Sequence, residues 1–466
     1  MGFSELLHTI GGMGNFQILQ TVLMMFPAIL IACHSFLQNF TATTPKHHCR
    51  PANWTNGSHV PGGVGDGDLL QVFIPLDKDQ KPEQCLRFSE PHWQILNHNG
   101  TSSLSLDTEA CLDGWVYDQT VASSIVSEWD LVCEHKSLKS IAQSIYMTGQ
   151  LVGATAFGIL SDSCGRKTAL QSGTLLMIIM GTSAAFAPSF PAYCVLRFLS
   201  GVAMTGIIIT SLCLAMEWTP TQSRMLVNIY TMYMITLGQV VLTGLAYLIH
   251  QWRWLQGTVS VAYVIILLYS WGLPESACWL ITHNKPDKAV KNLQAVARLN
   301  GKKEQGRKLT PEVVRIHMQE DTAAVKESPF FLDLFRTPGL CRLTCCITLG
   351  WFSTGFSFYG LGLDVQKFGF NIYWTQVLFT VVDIPTKLLT GLSMAYFGRR
   401  ITTVSLLLVA GCMILITAFL PQGNHSPLLQ PVIFGLAPIL AAAAGSFLME
   451  TNNQPLLNTI QETEKR

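Results

Sequence analysis

Long apolar runs alternate with short polar connections along the chain, and the pattern occurs ten times. A helix needs about 20 mostly apolar residues to cross the hydrocarbon core of a bilayer, and each run has about this length. The alternation therefore predicts an all-α polytopic membrane protein with about ten spanning helices. The predicted spans cover residues 16–36, 139–160, 168–188, 191–214, 226–248, 256–273, 342–363, 373–394, 401–420 and 427–449.

Two long polar segments interrupt the alternation and indicate how the chain is divided. One segment (43–137) follows the first span, and the other (274–340) follows the sixth. We therefore predict an N-terminal half with six spans (1–273), a linker, and a C-terminal part with about four spans (341–466). The composition supports a membrane protein, because only 13% of the residues are charged, about half the usual fraction in soluble domains.

The distribution of charge predicts the side of the membrane on which each segment lies. Residues 281–340 contain eleven Lys or Arg against seven Asp or Glu, whereas residues 43–135 contain five basic against thirteen acidic residues. The short loops after the second and eighth spans, CGRKTAL and FGRRITT, are also basic. Because cytoplasmic loops carry an excess of Lys and Arg, we predict a cytoplasmic linker, cytoplasmic termini and an extracellular segment 43–137.

The predicted extracellular segment has two features that are typical of an oxidising, secreted environment. It contains four cysteines, an even number, which predicts two disulfides with three pairings open. Asparagines also stand in the pattern of glycosylation sites, the first of them next to the first span. The cysteines are Cys49, Cys85, Cys111 and Cys133, and the glycosylation motifs begin at Asn39, Asn53, Asn56 and Asn99.

The eighth predicted span contains two charged residues, Asp383 and Lys387, in the run FTVVDIPTKLLTGLSM. A charge near the middle of a spanning helix costs roughly 2.5–3.5 kcal/mol, so some interaction must offset it. In one interpretation the two residues, four positions apart, neutralise each other on one helical face and serve packing. In the other interpretation, Lys387 faces a water-filled cavity and attracts an anion.

A glycine-containing basic motif follows the second span and recurs after the eighth, in GILSDSCGRK and GLSMAYFGRR. Positive charge after a glycine turn explains either copy alone, whereas the recurrence favours the two parallel halves of a major facilitator fold. The motif residues are Gly158, Asp162, Gly165, Arg166 and Lys167 in the first copy, and Gly391, Gly398, Arg399 and Arg400 in the second.

Further stretches resemble the organic ion transporters of the major facilitator superfamily, and the resemblance covers nearly the whole chain. They include DTEACLDGWVYD, EWDLVC, RFLSGVAMTG, MEWTP, LPESACWL and METNNQPLLNTIQE. The stretch VDIPTKLL resembles the organic anion branch, in which a lysine occupies the position of Lys387. The resemblance implies a secondary transporter in the plasma membrane that moves amphipathic organic anions, such as sulfated or carboxylated conjugates, by alternating access.

The resemblance also implies the binding partners. It implies a small organic anion as substrate, a dicarboxylate as the counter-transported species and lipid around the protein, and it is compatible with an oligomer. It implies no cofactor, no metal and no nucleic acid. The candidate substrate-binding residues are Lys387 and Tyr359, with Asp383 and Phe356 beside them.

Aromatic residues cluster in the seventh span and at the start of the eighth. Aromatic faces bind the apolar body of an amphipathic anion while one cation neutralises its charge. For a single ring, lipid contact or packing is the alternative. Arg197 and Gln239 are weaker candidates for the cavity, and the pair Gly149 and Gly153 predicts helix packing. The aromatic residues are Trp351, Phe352, Phe356, Phe358, Tyr359, Tyr373 and Trp374.

The chain departs from the family pattern in three places. Ser163 and Cys278 stand where arginine is frequent, which predicts weaker contacts at the cytoplasmic face. After the ninth span, PQGNHS leads directly into a span that resembles the family's last, so that two of the usual twelve spans are missing. Without them, Asp383 and Lys387 are expected to lose facing partners to lipid. The alternative function is therefore a non-transporting or regulatory isoform. An enzyme is not supported, because HExxH, GxSxG and P-loop motifs are absent.

Overall fold

The structure is a computed structural model that describes residues 3–50, 66–77, 81–90, 92, 107–118, 123–314, 335, 338–362, 371–419 and 429–450. Within these residues, every predicted span is helical, which agrees with the predicted fold class. The helices before the linker are α1 (Phe3–Thr9), α2 (Asn15–Thr41), α3 (Asp66–Phe73), α4 (Ile125–Glu128), α5 (Lys136–Cys164), α6 (Arg166–Ala185), α7 (Phe190–Glu217), α8 (Arg224–Leu248), α9 (Trp252–Val261) and α10 (Tyr263–Ser270). The later helices are α11 (Ala277–Thr282), α12 (Pro286–Leu299), α13 (Lys303–Arg307), α14 (Pro338–Gly362), α15 (Ile372–Tyr396), α16 (Arg399–Phe419) and α17 (Leu429–Gly445).

Among the described residues, six helical segments are long and apolar enough to cross a membrane. The sixth predicted span differs from the prediction, because it is divided at Ala262 into α9 and α10. The segment α17 is apolar but shorter, and α5 and α14 have spanning lengths of 29 and 25 residues. The six segments are Asn15–Thr41, Arg166–Ala185, Phe190–Glu217, Thr221–Leu248, Ile372–Tyr396 and Arg399–Ile416.

The predicted extracellular segment contains short antiparallel strands that the apolar pattern does not predict. Strand β1 (His47–Cys49) pairs with β4 (Trp115–Tyr117), and β2 (Leu86–Phe88) pairs with β3 (Thr108–Ala110). All four predicted cysteines are paired: Cys49 is bonded to Cys111, and Cys85 to Cys133. The structure thus has one of the three pairings that the sequence left open.

A buried arginine stabilises the same segment. Arg87 on β2 donates to the carboxylates of Glu109, at 2.8 Å, and Asp113, at 2.6 Å. Burial disfavours the charged guanidinium, but the hydrogen bonds to Asp113 and Glu109 favour it, and the net result is a raised pKa of Arg87. This side chain therefore stays charged, and it joins β2 to β3 and to the turn before β4.

The four predicted glycosylation sites have different positions. Asn39 is half-buried inside α2, which extends beyond the predicted first span. A glycan at Asn39 stays a prediction. Asn53, Asn56 and Asn99 lie outside the described residues.

Glycosylation can be tested directly on the sites of the extracellular segment. We expect glycosidase treatment of the chain from mammalian cells to lower its apparent mass. Changing Asn53, Asn56 and Asn99 together to Gln should remove most of this shift, whereas the control Asn39→Gln should leave most of it in place. An untreated protein that already migrates at the unmodified mass would contradict the extracellular placement of segment 43–137.

Glycines bring α5 and α7 into close contact, as predicted for Gly149 and Gly153. A Cβ atom on Gly149 would collide with the carbonyl oxygen of Phe198, and one on Gly153 would come within 2.5 Å of the carbonyl oxygen of Val202. From the other side, a Cβ atom on Gly201 would collide with the carbonyl oxygen of Tyr146. Small residues allow such backbone approach between membrane helices, and the crossing places α7 side chains against α5.

This crossing predicts a large effect of a side chain at Gly149. We expect Gly149→Leu to lower the free energy of unfolding by about 3 kcal/mol, because the collision is with backbone and can be relieved only by separating the helices. Surface amount and thermal unfolding of the purified chain measure the effect. Gly244→Leu on α8 is the matched control, since a Cβ atom there meets nothing within 4 Å; equal losses in both variants would contradict the explanation.

The linker forms helices that pack beneath the N-terminal half. Leu293 and Val296 of α12 share a core cluster with Leu6 and Leu7 of α1. At the end of α12, Asn300 accepts from the backbone N–H of Phe16 at 3.0 Å and donates to the carbonyl oxygen of Ile10 at 3.1 Å. The beginning of α2 is therefore capped by the linker.

The core lies almost entirely in the N-terminal half. In the described part of the chain, α5 has seven buried residues, whereas α15 has three. After residue 338, the buried apolar residues with described side chains are Ile414, Pro438, Ala441 and Ala442, apart from glycines. The last helix packs on two others, because Ser357 of α14 donates to the carbonyl oxygen of Phe434 at 3.0 Å and Gly411 of α16 closely approaches Gly435.

Candidate functional site

A polar stripe runs along α15 and contains the two charges that the sequence singled out. Asn371 caps the helix by accepting from the backbone N–H of Tyr373 at 3.0 Å. Gln376, Thr380, Asp383 and Lys387 then follow at intervals of three or four residues. Such intervals place side chains on one helical face, so that α15 presents a continuous polar face.

This face packs against α8 of the other half in an antiparallel arrangement. The hydroxyl of Tyr373 is 3.4 Å from the carbonyl oxygen of Ala246, and that of Thr380 is 3.5 Å from Oε1 of Gln239. The predicted weaker candidate Gln239 therefore lies in the interface between the halves. Polar groups of α8 thus lie against Thr380 of the stripe and against the neighbouring Tyr373.

Asp383 and Lys387 lie in this interface and are bonded to each other. The ammonium of Lys387 lies 2.6 Å from Oδ2 of Asp383, 2.5 Å from Oγ1 of Thr236 and 3.1 Å from the carbonyl oxygen of Met232. Thr236 also donates to Asp383 at 2.7 Å. The expectation that both residues lose facing partners is therefore wrong, because α8 supplies these partners.

The geometry combines parts of both interpretations of the intramembrane lysine. An ammonium has three donors, and the three neighbours of Lys387 account for all of them. Its side chain nevertheless keeps 23% of its surface exposed, and that of Asp383 keeps 32%. Lys387 is thus neutralised locally, as packing requires, while part of its side chain remains exposed.

The aromatic residues of α14 and α15 point in several directions. Phe356 lies against Phe434 of α17, with ring centroids 4.8 Å apart, and Phe358 lies against Phe36 of α2 at 6.0 Å. Tyr359 is half-buried and lies within electrostatic range of Tyr146 on α5. Four of the seven predicted aromatics are exposed rather than enclosed, namely Trp351, Phe352, Phe358 and Trp374.

The four predicted substrate-binding residues consequently occupy two surfaces. Asp383 and Lys387 face α8, whereas Phe356 and Tyr359 lie on α14 against α17 and towards α5. The sequence predicted one site for these four residues because they belong to adjacent spans. The structure assigns the charged pair and the aromatic pair to different helix contacts.

The first copy of the basic motif forms a bonded cluster at the predicted cytoplasmic end of α5. Gly165 has φ 103°, a conformation that favours glycine, and it turns the chain directly into α6. The carboxylate of Glu275 accepts from the backbone N–H of Arg166 at 2.9 Å and of Lys167 at 3.1 Å. Arg166 also donates to Asp162 at 2.7 Å and to Glu217 at 3.1 Å.

The second copy repeats the same geometry between α15 and α16. Gly398 has φ 92°, and the carboxylate of Glu450 accepts from the backbone N–H groups of Arg399 and Arg400, each at 3.0 Å. Carboxylates are favoured at helix N-termini because backbone N–H groups there have no helical partner. The repeat in sequence therefore corresponds to a repeated structural unit.

Glu275 and Glu450 are the residues that motif analysis missed. Each follows the last span of its half, in LPESACWL and METNNQPLL, and this shared position was the available pattern. In the first copy, Glu275 and Asp162 both bond to Arg166. The weaker contacts expected from Ser163 and Cys278 stay a prediction. The first glycine of each copy does not pack closely against a neighbour. A Cβ atom would meet nothing within 4 Å at Gly158, and at Gly391 it would meet only Ile229, at 3.8 Å.

Comparison with known proteins gives one family and one fold. The family model described as Sugar (and other) transporter matches residues 91–447. Solute carrier family 22 member 20 of Mus musculus is 43% identical, in an alignment that covers 100% of this chain and 94% of that protein. Organic anion transporter 3 of Rattus norvegicus is 41% identical over 100% and 95%, and solute carrier family 22 member 6-B of Xenopus laevis is 40% identical over the same shares. The alignment with the mouse protein runs over 530 positions, 64 more than the 466 residues of this chain.

Solved structures show the same fold at low sequence identity. The proton:xylose symporter XylE, described as a major facilitator superfamily protein, has a TM-score of 0.56 at 14% identity, covering 93% of this chain and 80% of that one. The partially occluded inward open conformation of XylE from E. coli has a TM-score of 0.53 at 14% identity, covering 93% and 85%. At this identity the likeness bears on the fold alone.

Proposed function

The chain belongs to solute carrier family 22, a family of multi-pass membrane transporters with the major facilitator fold, and we propose from this premise that it carries organic anions. One relative is named organic anion transporter 3, and another is named solute carrier family 22 member 6-B. The activity of the family is therefore transport rather than catalysis. The substrates that we propose are amphipathic anions, such as sulfated or carboxylated conjugates, which cross the plasma membrane in exchange for a dicarboxylate.

The observation that carries this proposal is the position of Lys387 between the two halves. One of its partners, Asp383, belongs to the C-terminal part, and the other two, Thr236 and the carbonyl of Met232, belong to the N-terminal half. Movement of α15 relative to α8 therefore changes the number of bonds that the ammonium makes. A carboxylate or sulfate can replace the partners that are lost, which couples anion binding to the separation of the halves.

The exchange of partners also explains why Asp383 lies beside the cation. An unpaired lysine inside a membrane costs several kcal/mol, so an empty transporter needs an internal anion. Asp383 supplies this anion, and an incoming substrate competes with it for Lys387. When the substrate leaves, the internal pair forms again, and the cation is never left without a partner during the cycle.

The aromatic residues of α14 supply the apolar part of the proposed binding region. Phe356 and Tyr359 are half-buried, and aromatic faces bind apolar bodies of ligands. In alternating access, the two halves rock about a site near the middle of the membrane, and this movement brings α14 and α15 together around the substrate. With both termini cytoplasmic, the paired basic motifs lie on the inner face.

A second candidate function is a non-transporting or regulatory isoform, and two observations favour it. The alignment with the mouse relative is 64 positions longer than this chain, enough for two spanning helices of about 20 residues each with connections. The second observation is the low burial of α15, which has three buried residues against seven on α5. Both observations support a C-terminal half that lacks two helices.

Uptake measured against surface amount separates the two functions. Cells expressing the chain are given a radiolabelled sulfated conjugate, a carboxylated conjugate or an organic cation, and surface protein is quantified by biotinylation. Saturable anion uptake per surface molecule supports the transporter. Surface protein without uptake of any anion supports the non-transporting isoform, and dominant cation uptake would overturn the assignment to anions.

A further inference from the structure

Three helices of the N-terminal half contribute pairs of buried polar side chains. In each pair the members are three or four residues apart and therefore share a helical face. All six side chains are at most 4% exposed, although the surrounding segments cross the membrane. The pairs are His34 and Gln38 on α2, Gln143 and Tyr146 on α5, and Tyr193 and Arg197 on α7.

Arg197 carries a full charge in this cluster and has no hydrogen-bond partner. Its Nε, Nη1 and Nη2 atoms are all buried and unpaired. The guanidinium carbon lies 4.2 Å from the centre of the Tyr146 ring, a geometry that stabilises a desolvated cation. An uncompensated buried charge costs several kcal/mol, so stacking on Tyr146 does not by itself offset the cost.

In the part of the chain that the structure describes, Arg197 has no buried carboxylate beside it, because no aspartate or glutamate there is buried. The groups within electrostatic range of the guanidinium are those of His34, Tyr146, Tyr193 and Cys194, and none is an anion at neutral pH. The surroundings therefore contain hydrogen-bond donors and one cation, which is the composition of an anion site.

Further hydroxyl groups lie next to the guanidinium. The hydroxyls of Tyr146 and Tyr193 are buried, with the side chains of Gln150 and Ser35 beside that of Tyr146 and the side chain of Thr41 beside that of Tyr193. Both tyrosines are electrostatic neighbours of Arg197, and a phenolic hydroxyl can donate to an anion. Tyr146 is also near Tyr359 of α14, which connects this cluster with the interface between the halves.

We propose that Arg197, together with the hydroxyls of Tyr146 and Tyr193, binds a small anion, either a halide ion or a carboxylate group. Arg197 is only 1% exposed, so the anion enters when the Tyr146 side chain moves from the face of the guanidinium. This site is distinct from Lys387, which has a protein carboxylate as its partner. The proposal concerns binding and does not depend on the transport of organic anions.

The test uses the purified full-length chain in detergent, with thermal unfolding followed at constant ionic strength. Sodium isethionate, whose anion is neither a halide nor a carboxylate, is replaced stepwise by sodium chloride, and in a parallel arm by sodium acetate. We expect the unfolding temperature to rise saturably by about 2 °C or more in at least one arm, because a ligand that binds only the folded chain stabilises it. A rise with chloride identifies a halide site, and a rise with acetate alone identifies a carboxylate site.

Two variants assign the response to a residue. In Arg197→Met the response should vanish, and the unfolding temperature in isethionate should not fall, because an unpaired charge has been removed. In Lys387→Met the response should remain, which separates this site from the proposed transport site. If Arg197→Met does not yield folded protein, Tyr146→Phe keeps the stacked ring and removes one donor, and the half-saturating concentration should rise about tenfold.

Three results would overturn the proposal. The first is an unfolding temperature that responds to neither anion in the unmodified chain. The second is a response that persists in Arg197→Met or is unchanged in Tyr146→Phe. The third is a response that disappears in Lys387→Met while Arg197→Met retains it, which would assign the anion to the interface between α8 and α15.

Discussion

Lys387→Ala is expected to lower anion uptake per surface molecule by about tenfold or more. A charge-assisted hydrogen bond contributes about 1.5–3 kcal/mol, and 1.4 kcal/mol corresponds to a factor of ten. The amount of protein at the surface should stay the same, because Asp383 is one-third exposed and keeps the hydroxyl of Thr236 as a donor. Initial uptake rates of a sulfated and a carboxylated conjugate, divided by biotinylated surface protein, measure the effect.

Lys387→Arg is the matched control for charge. It retains a cation at the same position, so uptake should fall less than in Lys387→Ala, although the planar guanidinium cannot reproduce the three bonds of the ammonium. Unchanged uptake of every anion in Lys387→Ala would remove this residue from the site. The proposed competition between substrate and Asp383 would then have no basis.

A double variant separates the two interpretations of the charged pair. Asp383→Asn combined with Lys387→Gln replaces both charges by amides of nearly the same size. If the pair serves packing alone, the double variant should recover both surface amount and uptake relative to the single variants. If Lys387 binds the substrate, surface amount should be normal and uptake should stay as low as in Lys387→Ala.

The sequence predicted the helices well because spanning length and apolarity are local properties. Each of the ten apolar runs is mostly helical within the described residues, and α6 begins at Arg166, two residues before the predicted span. The division of the sixth span at Ala262 could not be predicted, since YVIILLYS and the residues before it form one uninterrupted apolar run. The small strands were also missed, because their three-residue lengths carry too little alternation to detect.

Contacts between segments that are distant along the chain could not be predicted from the sequence. The spacing of Asp383 and Lys387 predicted a pair on one face, but Thr236 and Met232 as further partners depend on how α8 and α15 pack. Similarly, the repeat of Gly165 and Gly398 was visible, whereas Glu275 was identified only through its bonds to Arg166 and Lys167. Too many aromatic residues were predicted to lie in the site, because an exposed ring and a ring that lines a cavity have the same sequence pattern.

We expect the largest increase in anion uptake when two helices are added to the C-terminal part. We predict that the chain expressed alone is largely retained inside the cell, or transports far less than a twelve-span relative. Inserting the two helices of such a relative between Leu420 and Pro427 should raise both surface amount and uptake per surface molecule. An even number of added spans preserves the side of the membrane on which each later segment lies.

The physical reason lies in α15, which buries three residues whereas α5 in the other half buries seven and packs closely on α7. Within a bilayer, helices are held together by van der Waals packing and polar contacts rather than by the hydrophobic effect. A helix surface without a packing partner therefore lowers the stability of the fold. The inserted helices should supply this packing and raise the unfolding temperature of the purified chain. An insert of equal length and apolarity with a shuffled sequence is the control, because it keeps the topology and removes the specific contacts. Saturable anion uptake by the unmodified chain at normal surface levels would contradict the prediction, and would mean that an oligomer or another segment closes the cavity.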